Sequence, residues 1–451
     1  MMKILARGPT IDAAEVGDLQ KALDMVPESG GAVYIPAGKY EIDRTITVAL
    51  ADRQHLHIYG DGRATVLNFT ASDGSHLLQL SGVEDSWWPD LKITIRDLTL
   101  VGNYDSGDAF HLLWPNDTMV DSCFFYGFGG CAIVVTPKAT NVTIRDCWMR
   151  DCKRALHADN LHHLTFHGNQ TRSAQDGQQQ DEHIYIGSNC REVRIVNNHI
   201  AYGHAEAIIL DGTAQHVIAN NTIEGFVTGI KATGCRDIII DGNYVHCPTG
   251  VLMEGDNRGL TVSGNMMTAN CDGAITIRDA HGSGAHVISG NVIRQSVYED
   301  GQKGIDLGDA RDCVVTGNVI EDITAGPAIS AGPDLSRHVI ANNCVTDSAI
   351  HVIASDRPTE PVEISPKSKY YPLSEYLGKL PPEKRRVTLT FGQIESILGA
   401  ELPPSAHKYR EWWANEQSAD TSHVQARAWM AAGWLVTIVK QIERRVVFVR
   451  Q

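Results

Sequence analysis

Between Arg191 and Asp272, apolar and polar positions repeat as one unit of about 20 to 25 residues: REVRIVNNHIAYGHAEAIILDGTA, QHVIANNTIEGFVTGIKATGC, RDIIIDGNYVHCPTGVLMEGDN, RGLTVSGNMMTANCDGAITIRD. Each unit opens with a β-branched run, places an Asn after it, passes a few polar residues, and closes with a run of the form Gly/Ala-apolar-x-apolar-x. Alternation with period two predicts strands, and strands repeated at this spacing predict a solenoid in which each coil stacks on the next.

Aligning the closing runs (AFHLL, AIVVT, ALHAD, HIYIG, AIILD, GIKAT, GVLME, AITIR, GIDLG, AISAG) separates two faces. The second and fourth residues are uniformly apolar, for example Ile184 and Ile186, Ile208 and Leu210, Val251 and Met253, and predict the interior. The third residues face out: His111, Val134, His157, Tyr185, Ile209, Lys231, Leu252, Thr276, Asp306, Ser330. The fifth do so as well, with Asp159, Gly187, Asp211, Glu254 and Arg278 in the middle of the series.

A second alignment gives a ladder: Leu98, Cys123, Cys147, Asn169, Asn198, Asn221, Asn243, Asn265, Asn291, Asn318, Asn343. Eleven such positions predict a rod of roughly 50 Å at about 4.8 Å per coil. The stacked Asn side chains are read as structural, hydrogen-bonding along the stack and accepting left-handed bend geometry.

The ends differ from the middle. Residues 1–90 read as a helical cap followed by irregular turns, because Val16, Leu19, Ala22, Leu23 and Val26 fall at helical spacing before Pro27 and Gly30-Gly31. Such a cap covers apolar interior and unpaired strand edges. Regular coils are expected over 91–355, with insertions at TRSAQDGQQQDEH and IRQSVYEDGQKG projecting from one side as walls of a groove. A Pro- and Ser-rich linker is expected over 356–368, and a separate small α+β unit over 369–451.

Composition adds three points. Residues 365–451 hold 13 Lys+Arg against 8 Asp+Glu, whereas the rest of the chain holds 26 against 46, so an acidic body (−20) carries a basic tail (+5) within the net charge of −15. The ten cysteines include no CxxC pair, and those in the ladder read as buried thiols. No apolar run is long enough for a membrane span, and the first residues lack an apolar signal-like stretch, so a cytoplasmic protein without a membrane partner is expected.

The coil pattern, with the short helix and GGAVYIPAGKY ahead of it, resembles the right-handed parallel β-helix of the pectin-lyase type and its carbohydrate-binding and sugar-hydrolase repeats. The resemblance implies an all-β solenoid and a carbohydrate-active protein, a lyase or glycoside hydrolase. It carries over no catalytic residue: the Asn-Thr-Asp, Asp-Asp, Gly-His-Gly and Arg-Ile-Lys set of polygalacturonases, the Trp-x-Asp-His of pectate lyases and the Asp-Pro-His-Glu of alginate epimerases are absent. The tail, with YYPL-x-EYL, LTF, ILG, WWAN and QARAW, resembles a small uncharacterised bacterial domain to which no activity attaches.

Candidate chemistry follows from the outward columns. Asp159 and Asp211 lie two coils apart, about 9.6 Å along the axis, with Gly187 as a floor between them, a spacing suited to paired carboxylates across a sugar. His157, Tyr185 and Lys231 complete the catalytic candidates, Tyr185 or Lys231 as the base of a lyase. Glu254, Arg278, Glu182, His183 and His204 are candidate substrate contacts, although burial or bridging is the simpler account of either histidine. No cofactor is required, and Ca²⁺ would serve only to offset the acidic body against a uronate. The competing account is a solvated polar face on a non-catalytic scaffold. In that account the tail binds nucleic acid or a protein, with Lys408, Arg410, Trp412, Trp413 and Arg427 as basic and stacking groups; the same tryptophans also suit a small core.

Overall fold

The computed structural model describes residues 8–450 apart from 53, 85, 87, 173–181, 270, 279–283, 295–303, 324–326, 333–336, 347–363, 382–383, 385, 409, 414–424 and 441–443. The central parts of both expected insertions, and the start of the expected linker, lie outside the described residues.

The chain winds as a right-handed parallel β-solenoid. Among the described residues its three sheets hold 14, 12 and 13 strands, and each strand pairs in parallel with its counterpart one coil later. The coil from Arg236 shows how the sequence builds the shape. Strand Arg236–Asp241 ends at Gly242 (φ +65°), Asn243 follows, strand Tyr244–His246 leaves at an angle, and strand Thr249–Glu254 closes the coil. The left-handed residue precedes the ladder position in every coil: Asp97, Ser122, Asp146, Gly168, Asn197, Asn220, Gly242, Gly264, Gly290, Gly317, Asn342. The bend geometry expected of the ladder Asn thus belongs to its neighbour, where Gly, Asn and Asp tolerate positive φ.

The ladder Asn residues do the hydrogen bonding. Asn221 Oδ1 accepts from the amide and the side chain of Asn198 at 2.9 and 3.0 Å, while Asn221 Nδ2 donates to Ile195 O at 2.8 Å and to Asn243 Oδ1 at 2.9 Å. The chain of amides runs from Asn169 to Asn343. Around it the inward Ile, Leu and Val positions form one continuous core from the cap to Val345, each side chain contributing roughly 1.5–3 kcal/mol by burial.

The single cap helix expected from spacing is two, Ala13–Val16 and Leu19–Asp24. Asp12 and Asp18 accept from their first-turn amides, and Gly17 breaks between them at φ +75°. Strands Gly31–Ile35, Gly38–Ile42 and Ile46–Ala49 already stack in the three sheets, so the stretch 1–90 contains regular coil strands as well as the cap.

The C-terminal unit has its own core. Helices Tyr371–Gly378, Phe391–Leu398, Pro404–Lys408 and Ala426–Met430 accompany an antiparallel sheet with Arg445–Arg450 between Arg386–Thr390 and Trp434–Lys440. Thr390 and Gln393 form a capping box, and Gly399 ends that helix in the left-handed conformation.

Among the described residues, three buried histidines sit in the solenoid. His216 Nδ1 accepts from the Val193 amide, His286 Nδ1 accepts from the Leu260 amide, and His183 packs beside Phe226. Burial pushes all three down to about 4. A base whose folded value lies below its unfolded 6.5 binds fewer protons when folded, so its contribution is complete above about pH 6.5 and is lost as pH falls toward 4. Thermal unfolding scans between pH 7 and pH 4 should show a steep loss of stability, about 3 kcal/mol per histidine at the acid end. His286→Gln should flatten the slope; an unchanged slope would show that these groups do not drive it.

Candidate functional site

The outward face of the 12-stranded sheet carries the predicted residues in register. His111 pairs with Val134, Val134 with His157, His157 with Tyr185, Tyr185 with Ile209, and Ile209 with Lys231. Continuing the same register places Asp159 beside Gly187 and Gly187 beside Asp211. The His157 and Tyr185 rings stack at 5.0 Å between centroids, 17° from parallel. The Tyr185 hydroxyl donates to Asp211 Oδ2 at 3.1 Å. Burial, and then the bond to the Asp211 carboxylate, push the Tyr185 hydroxyl up to about 12, so it stays protonated at neutral pH. Burial, and then the Arg154 cation, push the His157 imidazole below its usual value, so it stands neutral there.

Asp159 differs from its neighbours. Its Oδ1 is buried and accepts no hydrogen bond among the described residues. A Cβ added at Gly187 would sit 3.0 Å from that oxygen and 2.8 Å from Tyr185 Cε1, so glycine at this position lets the Asp159 and Tyr185 side chains close over it.

The other predicted residues divide into ion pairs and bystanders. Lys231 lies 3.0 Å from Glu254 and 3.7 Å from Glu206. The Glu254 contact raises its ammonium above the ordinary value, which disfavours Lys231 as a base. Glu182 pairs with Arg154 at 2.5 Å. Arg278 is exposed at the end of strand Gly273–Arg278, one coil beyond Glu254. His204 is exposed in the turn before strand Glu206–Asp211. His183 does not face the groove: it is 2% exposed, in a position filled by Ala109, Ala132, Ala155, Ala207 and Ala274 in other coils. The burial account of that histidine is the one the packing follows.

The tail residues are corrected in the same way. Trp413, Trp429 and Trp434 are buried, and the indoles of Trp413 and Trp434 donate to Ala406 O and Leu377 O. Trp412 is half-buried at the edge of that core, 5.9 Å from Tyr370. Rings held inside a core offer no face to a base, so base stacking by Trp413 is set aside. Lys408 and Arg427 are exposed on their helices, and the Arg410 side chain lies outside the described residues.

Sequence reasoning missed one cluster on this face. His76, Asp108 and His111 bring their ligating atoms within 4.8 Å of one another. His111 was visible as an outward residue, but Asp108 lies one position ahead of the aligned frames, in a column that includes Cys131 and Arg154. Among the described residues it is the one group of His, Cys, Asp or Glu with metal-ligand spacing, and its two imidazoles suit Ca²⁺ poorly.

Comparison with known proteins agrees with this architecture. Residues 182–345 match the family model of a right-handed β-helix region. Residues 108–246 also match a family described as periplasmic copper-binding protein (NosD), and residues 370–451 match a domain of unknown function (DUF7662). No curated protein matches the chain. Among solved structures, tailspike protein 3 of bacteriophage CBA120 is similar at 14% identity and TM-score 0.54, over 79% of this chain and 65% of that one. Pre-mature gene product 12 of bacteriophage phi29 is similar at 14% identity and TM-score 0.50, over 74% of this chain and 49% of that one, so the chain spans about half of that protein. The A-module of an Azotobacter vinelandii mannuronan C-5 epimerase overlays at 15% identity and TM-score 0.39, over 74% of this chain and 99% of that one, too loosely to carry weight. These likenesses show the fold.

The match to a periplasmic family overturns the cytoplasmic expectation and points to a periplasmic or extracellular protein. The free thiols gave no guide to compartment, since eight of the ten cysteines are buried by packing in the coils and serve as small core side chains.

Proposed function

We propose that the outward face of the 12-stranded sheet binds an oligosaccharide across the coils of His157, Tyr185 and Asp211, and that Asp159 and Asp211 are the acid and base of its hydrolysis. The observation that carries this reading is the buried Asp159 Oδ1, which has no hydrogen-bond partner among the described residues and packs over Gly187 beside Tyr185. A buried acceptor without a partner costs about 1–3 kcal/mol, and a sugar hydroxyl donating to it removes that cost. The stacked His157 and Tyr185 rings give an apolar surface beside it for the sugar's C–H face. Two coils separate the carboxylates by about 9.6 Å, at the upper edge of the range in which a water fits between acid and base.

The neutral His157 imidazole favours a second reading, a lyase with His157 as base. A panel of neutral and uronate oligosaccharides, offered to the full chain and to Asp159→Asn, Asp211→Asn and His157→Gln, separates them. Hydrolysis predicts saturated products and turnover reduced about 10²–10⁴-fold in both Asp variants. A lyase predicts unsaturated products, lost in His157→Gln. Binding without turnover supports the non-catalytic scaffold, and indifference to all three substitutions removes the groove assignment.

A further inference from the structure

At one end of the same face, two imidazoles converge on one carboxylate. His76 precedes strand Leu78–Ser81, and Asp108 and His111 flank the start of strand Phe110–Leu113, its neighbour in the sheet. Asp108 Oδ1 accepts from the Cys131 amide at 2.8 Å, which fixes the carboxylate and turns Oδ2 outward. Oδ2 lies 2.8 Å from His111 Nδ1 and 3.1 Å from His76 Nδ1, and the two rings stack at 4.4 Å between centroids.

His76 Nδ1 also lies 3.0 Å from the Asp108 backbone amide, in position to accept from it. One imidazole nitrogen cannot accept from an amide and donate to a carboxylate together. If Nδ1 accepts, its lone pair and Oδ2 face each other with no proton between them. If it carries the proton, two N–H groups face each other. With a cation among Oδ2 and the two Nδ1 atoms, the single lone pair of His76 Nδ1 ligates the ion in place of accepting from the amide, and the two facing acceptors are both turned to a positive charge.

We propose that His76, Asp108 and His111 bind a divalent transition-metal ion. Two imidazoles and one carboxylate form a donor set suited to Zn²⁺ or Cu²⁺, whereas Mg²⁺ and Ca²⁺ take oxygen ligands. The three side chains are between 12% and 30% exposed, so the ion is held at the surface with positions left open toward solvent. Copper, the metal in the family description matched by residues 108–246, fits this donor set, although His76 lies outside that match. The site is two coils from His157, about 9.6 Å along the axis, and stands independently of the hydrolytic reading.

The test is calorimetric titration of the full chain with Zn²⁺, repeated with His76→Gln, His111→Gln and the double variant, with Cu²⁺ electron paramagnetic resonance as a second readout. The expected result is one equivalent of Zn²⁺ that excess Ca²⁺ or Mg²⁺ does not displace. Each single variant should weaken binding by more than the 10–100-fold typical of losing an outer-shell partner. Cu²⁺ should show two nitrogen ligands in the wild type, and melting temperature should rise with Zn²⁺ in the wild type but not in the double variant. Absence of binding, or affinity unchanged in the double variant, overturns the assignment.

Discussion

Asn221→Ala is expected to lower the unfolding free energy by about 3–5 kcal/mol. The residue is 2% exposed and its side-chain amide makes four hydrogen bonds. Alanine removes the acceptor of the Asn198 amide and of one Asn198 Nδ2 hydrogen, whose companion still donates to Phe166 O, and removes the side-chain donor to Ile195 O, in an interior water does not reach. Each such group costs about 1–3 kcal/mol, and relaxation recovers only part of the sum. Asn220, one residue earlier, is exposed and left-handed at φ +56°. Asn220→Gly keeps that conformation open and should shift stability by less than about 1 kcal/mol. Urea unfolding of the two variants compares adjacent asparagines with opposite roles; equal midpoints would refute the ladder as a source of stability.

Trp434→Ala carries the second large effect, a loss of about 3–5 kcal/mol from the C-terminal unit. The indole is completely buried and its Nε1 donates to Leu377 O at 3.0 Å, so truncation opens a cavity and removes a hydrogen bond to the end of helix Tyr371–Gly378. Limited proteolysis should then cut within 370–451 at temperatures where the wild type resists, whereas Lys408→Glu and Arg427→Glu, both on exposed side chains, should leave the cleavage pattern unchanged. A Trp434→Ala protein that keeps its protease resistance would contradict the core assignment.

How much was legible depended on how far apart the interacting residues are in sequence. Strands and their inward faces follow from period-two alternation, which is local, and the inward positions predicted for each closing run are buried. The Asn ladder was readable because one residue type recurs in one slot. The left-handed column beside it was misplaced by one residue, since Gly, Asn and Asp share no side-chain signal beyond tolerance of positive φ. The tryptophans of the tail fitted a nucleic-acid surface and a core equally well by composition, and only packing separates the two.

The sequence by itself determined the coil, its period, its interior and the column along which Asp159, Tyr185, Asp211 and Lys231 line up, because all of these are properties of alternation and repeat length. The tertiary structure alone decided what each outward group does with its neighbours: that Lys231 is held between two glutamates, that Tyr185 donates to Asp211, that Asp159 keeps a buried oxygen without a partner among the described residues, and that His76 meets Asp108 and His111. Those outcomes turn on side-chain directions and ångström-scale separations between coils, which register brings about and residue spacing does not encode.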